Sequence, residues 1–222
     1  MKFVFEERAS DSTYVEKIWR THSDRAGSFT SLAVSHWEMV ITTCSGKTTM
    51  TVRGPETKAT LAECPADAEF FGIQFKLGTF MPHLPISSLV DGAVTLPAAT
   101  KRSFWLHGAA WQFPDYENVD TFVDRLARQG LLAHDPVVNA IVAGQEPALS
   151  LRAMQYRFVR ATGLTQRAVR QIERARHAAD LIERGASIHD TLYDAGYFDQ
   201  AHMTRSLKRL VGQTPAQIAR SS

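Results

Sequence analysis

Gln200, Thr204, Arg205, Lys208 and Arg209 fall within ten residues near the C-terminus. Guanidinium and carboxamide groups can pair with base edges in a DNA groove, Arg with guanine and Gln with adenine, while Lys and Arg neutralise phosphates. Met203, Leu207 and Leu210 recur among them at helical spacing. One helix can therefore bury an apolar stripe and turn a polar, basic face away from it, a shape and charge suited to a groove.

The elements that hold such a helix are written around it. Ser187-Ile188-His189-Asp190 has the capping-box form, Gly196 breaks the helix that follows, and a new helix opens at Asp199. Gly212 suits a left-handed cap and Pro215 forbids continuation. This is helix, tight turn, helix. A second set of the same kind lies about fifty residues upstream. Ser150 is the natural N-cap of a helix running to Ala161, and Gly163 is its stop. Met154 and Phe158 face inward; Arg152, Gln155, Tyr156 and Arg160 face outward, with Arg157 between the two sets.

Thr165 to Arg184 joins the two units as one predicted helix, with Val169, Ile172, Ala175, Ala179 and Ile182 inward and Arg167, Arg170, Arg174 and Arg176 spread around it. Twenty residues at 1.5 Å each span about 30 Å, near the ~34 Å of one DNA turn, so both polar helices could enter successive major grooves. Upstream, Val119 to Leu132 and a segment from Asp135-Pro136 to Gly144 read as two scaffold helices.

The preceding half reads differently. From about residue 30 to 80, short alternating runs predict an antiparallel β segment: Trp37 to Thr43, Thr48 to Arg53, Thr57 to Ala62 and Phe70 to Lys76, with a hairpin turn at Cys44-Ser45-Gly46-Lys47 and a second turn at Gly54-Pro55-Glu56. A small barrel or sandwich results. Pro82, Pro85, Gly92 and Pro97 keep the next stretch irregular apart from a short helix at Ile86 to Leu89. Ser45-Gly46-Lys47-Thr48 copies the end of a phosphate-binding loop, but Ile41 stands where that loop needs glycine. The many aromatic side chains are core or the lining of an apolar cavity; Trp37 and Phe75 are the candidates for an effector site.

Composition agrees with two domains, residues 1–118 and 119–222. The first holds 11 basic and 13 acidic side chains, a net of −2; the second holds 14 and 10, a net of +4. No apolar run approaches the ~18 residues of a membrane span and no signal-peptide core follows Met1, so the expectation is a cytoplasmic protein. Cys44 and Cys64 form no metal or redox motif, and His22, His36, His83 and His107 lack paired-ligand spacing. No metal, cofactor or catalytic set is expected.

The segment Ser150 to Ile218 resembles the DNA-binding domain of the AraC/XylS transcription regulators. The likeness is carried by Leu149-Ser150-x-Arg152-x-Met154-Gln155-x-x-Phe158, Ala161-Thr162-Gly163-Leu164-Thr165, the helix through Arg174-Ala175, Ala195-Gly196-Tyr197-x-Asp199-Gln200-x-His202-x-Thr204-Arg205-x-Leu207-Lys208, and Gly212-Gln213-Thr214-Pro215. The resemblance implies base reading by Arg152, Gln155 and Tyr156 in the first unit and by Gln200, Ala201 and Arg205 in the second, with His202 in addition. Backbone contacts then fall to Ser150, Arg157, Arg160, Thr204, Lys208 and Arg209.

Three positions depart from the usual pattern. Tyr156 replaces an arginine, Leu207 replaces a phenylalanine, and the bend at Pro147 leaves little room for a helix before Ser150. The run Phe71-Gly72-Ile73-Gln74-Phe75-Lys76-Leu77-Gly78 is similar to one in cupin-like sensor domains of the family. The implied fold is α+β: an antiparallel, cupin-like β barrel or sandwich, then an all-α domain of two helix-turn-helix units on a linker helix. The implied partners are double-stranded DNA, a small effector and RNA polymerase, with the chain as monomer or homodimer and no membrane. A metal-dependent cupin enzyme with a basic tail and an effector-independent architectural DNA-binding protein are the alternatives.

Overall fold

The computed structural model describes residues 4–221. Among these residues thirteen strands and a short 3-10 helix at Ile86–Leu89 precede or flank seven α-helices. The strands are β1 (Glu6–Arg8), β2 (Val15–Ser23), β3 (Gly27–Ser31), β4 (Glu38–Cys44), β5 (Lys47–Arg53), β6 (Thr60–Cys64), β7 (Ala68–Phe75), β8 (Thr79–Phe80), β9 (Ala93–Thr95), β10 (Ala98–Thr100), β11 (Ser103–Leu106), β12 (Ala109–Gln112) and β13 (Ala133–His134). The helices are α1 (Val119–Arg128), α2 (Pro136–Val142), α3 (Leu151–Thr162), α4 (Gln166–Glu183), α5 (Ile188–Asp194), α6 (Gln200–Leu210) and α7 (Pro215–Ser221). The fold is α+β, with an N-terminal antiparallel β region and a C-terminal helical domain.

The main sheet has six strands in the order β1-β2-β7-β4-β5-β9. The β4–β5 hairpin turns on Ser45 and Gly46, both at positive φ (50° and 73°), the two-residue geometry that matches strand twist. The phosphate-loop lookalike is this turn. β2 pairs with β7 along its length and lies outside the predicted β segment. A register shift between Val15 and Lys17 breaks its alternation, and Glu16, Arg20 and His22 fill its outer face, so the period that marks a strand is interrupted. Gly72 in β7 lies under Trp19 of β2: a Cβ there would stand 2.0 Å from the indole.

Trp37 and Phe75, offered as effector contacts, are core. They are 2% and 0% exposed, their rings stack at 4.0 Å, and the Trp37 indole N–H donates to the Thr79 carbonyl at 2.6 Å. Their area is spent on packing and leaves no face for a ligand. Helix α1 joins the same core: Val119, Phe122, Val123 and Leu126 bury against Phe104, Leu106 and Trp111 of the sheets, and Arg8 bonds Asp120 at 2.9 Å.

The second core belongs to α2 through α7. It also takes in Ala33, which is fully buried there. The end of the β3–β6 ribbon meets the C-terminus of α6, where Ala33 and Ala59 donate backbone N–H groups to the Leu210 and Arg209 carbonyls, both at 2.8 Å. The last carbonyls of a helix lack intrahelical partners, so the ribbon supplies what α6 cannot. Gly212 has φ +81°, and a Cβ on it would come within 2.8 Å of Thr30. Gly163, with φ +75° at the end of α3, likewise touches Ile86 of the 3-10 helix. Both cap glycines thus serve the left-handed turn and the close approach of the β region.

Ser35 donates to Glu173 of α4 across this seam, and Arg176 reaches the Ala33 carbonyl at 3.5 Å. His36, beside them, has its pKa pushed down to about 3 by burial, then by Arg176 and Lys17. A folded-state value below the unfolded value means the unfolded chain takes the proton first. The contribution is therefore whole above about pH 6.5 and shrinks as pH falls toward 3. Between pH 8 and pH 5 the expected loss is about 2 kcal/mol. Glu38, whose burial raises its carboxyl pKa, works in the opposite sense. The check is therefore the pH dependence of melting in wild type against His36→Gln, which should remove the His36 part of the slope.

Candidate nucleic-acid interface

The second unit forms as its local signals require. Ser187 Oγ accepts from the Asp190 N–H at 3.0 Å, Gly196 turns the chain at φ 65°, and the Asp199 carboxylate accepts from the His202 N–H at 2.6 Å. Met203, Leu207 and Leu210 are buried, as is Tyr197, whose hydroxyl donates to Ser206 at 2.9 Å. Burial raises the Tyr197 pKa, against the opposing pull of the Ser206 bond and Arg174. With that face committed, Gln200, Ala201, Arg205, Lys208 and Arg209 stand exposed on the other. Thr204 and His202 are half-buried, the His202 ring set edge-on to Tyr197 at 5.2 Å.

The first unit is assembled differently. No helix occupies residues 143–150, as Pro147 led one to expect, so α3 has α2 as its preceding helix. Ser150 caps α3 through the Ala153 N–H, and Phe158 is buried. Arg157, assigned to DNA phosphate, instead makes a two-pronged pair with Asp135 at 2.8 and 2.6 Å. Asp135 is buried and also caps α2 through the Val137 N–H at 3.0 Å. The pair raises the Arg157 pKa, bolts α3 to α2 and engages two of the five guanidinium donors.

Arg152, Gln155, Tyr156 and Arg160 are exposed, but they do not share one outlook. Tyr156 and Arg160 line a cleft of about 300 Å³ with Phe80, Met81, Pro82, Pro85 and Ser87 of the β region, and the Arg160 guanidinium stands 5.4 Å from the Phe80 ring centre. Gln155 borders a separate groove of about 640 Å³ with Leu151, Met154, Phe158, Arg167 and Arg170, beside the bend that holds no helix.

A third concavity, about 570 Å³, lies between α4 and α6. Arg167, Arg170 and Arg174 line one side; His202, Arg205 and Arg209 line the other. Among the described residues none of these five arginines is ion-paired with a carboxylate, whereas Arg184, the C-cap of α4, is held by Asp180 at 2.9 Å. The α4 arginines were missing from the sequence-derived site. Their spacing of three and four residues puts them on one helix face, which was the available signal.

No helix among the described residues is long and apolar enough to cross a membrane, and no group of three His, Cys, Asp or Glu side chains gathers there as a metal site. No curated protein matches the chain. The solved structure of ToxT from Vibrio cholerae is similar over 97% of this chain and 98% of its own, at 10% identity and a TM-score of 0.41, a likeness too loose to carry an argument. A family model described as a helix-turn-helix domain matches residues 145–221, which covers α3 through α7. Residues 145–221 are therefore similar to helix-turn-helix domains.

Proposed function

We propose that the chain is a sequence-specific transcription regulator of the AraC/XylS type, with α3 and α6 entering successive major grooves of double-stranded DNA. The observation that carries this reading is α6. Its apolar face is buried and its C-terminus is docked, while Gln200, Ala201 and Arg205 stand open at and beyond its N-terminal end, where helix-turn-helix proteins meet base edges. Lys208, Arg209, Thr204 and the α4 arginines supply phosphate contacts, Ser150 and Arg160 do so at α3, and Arg152, Gln155 and Tyr156 read the first sub-site. Arg157, held on Asp135, we assign to structure.

We place the division between the two units near Leu132 rather than at residue 118, because α1 buries with the sheets and α2 with the other helices. A small effector would modulate the protein through the seam, since the β region grips the ends of both recognition helices. The cleft between Phe80 and Arg160 supports an effector position better than Trp37 and Phe75 do, and an effector there would compete with DNA for Tyr156 and Arg160. Contact with RNA polymerase and a monomeric or homodimeric state belong to the same reading.

Selection of bound duplexes from random DNA by the full chain, then titration of the best and a scrambled duplex across salt, tests it. Two sub-sites about ten base pairs apart support the proposal; equal, steeply salt-dependent binding to both duplexes overturns it. Arg205→Ala is expected to cost about 1–3 kcal/mol on the selected duplex and to relax choice at one base pair. Uniform weakening on all duplexes would make Arg205 a phosphate contact.

A further inference from the structure

Phe198 is 90% exposed, more than any other large apolar side chain among the described residues. It directly precedes Asp199, the N-cap of α6, so it leads the helix whose first turn carries Gln200 and Ala201. The other end of α6 is closed off by the Ala33 and Ala59 N–H groups, which leaves the Phe198 end as the one open to a partner. The nearby concavity is lined by arginines that lack carboxylate partners, so the charge around this ring favours a polyanion over an apolar protein surface.

On the floor of a major groove the one bulky apolar group is the thymine methyl; beside it stand donors, acceptors and the small C5–H edge of cytosine. We propose that Phe198 is a specificity-determining residue that packs on a thymine methyl in the sub-site read by α6. Phe198 contributes base choice without a hydrogen bond, beside the polar reading by Gln200 and Arg205. The inference rests on the DNA-binding reading above.

The test uses the full chain and the duplex it selects, with each thymine replaced singly by deoxyuridine, a change that removes only the methyl group. Wild type is expected to bind about fourfold more weakly at one thymine of the α6 sub-site, the worth of one buried methyl. Phe198→Ala is expected to bind the thymine and uracil duplexes equally there, and Phe198→Leu to retain part of the ratio. Melting of Phe198→Ala should match wild type, because so exposed a ring packs on little of the fold. An identical thymine-to-uracil ratio in wild type and Phe198→Ala at every position overturns the assignment while leaving DNA recognition intact. A wild-type chain that selects no duplex overturns both.

Discussion

Met203→Asp is expected to unfold the second helix-turn-helix unit and abolish selective DNA binding. Met203 is 0% exposed and packs in the helical core with Leu207 and Tyr197. The substitution deletes a buried thioether side chain and puts a carboxylate among apolar side chains. Loss of the buried chain alone costs about 2–5 kcal/mol, and desolvating the charge adds to it. Against a typical domain stability of about 5–15 kcal/mol, the unit has little left. Circular dichroism melting and DNA titration on the same preparation check this. A normal melt with lost binding would instead place Met203 at the DNA, against its burial.

Ala33→Phe is the second large effect, and it bears on whether the β region positions α6. Ala33 has no exposed surface, its N–H holds the Leu210 carbonyl, and Arg176 lies over its own carbonyl. A phenyl ring fits there only if the ribbon and α6 part. Overpacking of this kind costs about 3 kcal/mol, at the upper end of its usual range, and α6 would lose two hydrogen bonds at its C-terminus. The expected result is a lowered melting temperature together with weaker selection at the α6 sub-site than at the α3 sub-site. Equal weakening at both, or none, would mean that the seam does not position α6.

The two variants separate the contributions that make the site. Met203 determines whether α6 exists as a packed helix; Ala33 determines where it stands. Arg157 shows the same division on α3, where a side chain polar enough for DNA is spent on Asp135 to fix the helix to α2.

Features that depend on residues within one or two turns are legible in the amino-acid sequence. The caps Ser150, Thr165, Ser187 and Asp199, the stops Gly163 and Gly212, the buried stripe of α6 and the Ser45-Gly46 hairpin are local, so residue type and spacing decide them. The family likeness of the C-terminal segment was legible for the same reason, since it is carried by those signals in order. Tertiary structure alone decided which element each apolar face would meet. The stripe of α1 fits a sheet as well as a helix, and only packing gave it to the sheet. Trp37 and Phe75 would look the same on a cavity wall as in a core. The bond from Ala33 to Leu210, the pair of Arg157 with Asp135 and the bulged β2 join residues far apart in sequence or out of period, and no local pattern encodes a partner at that distance.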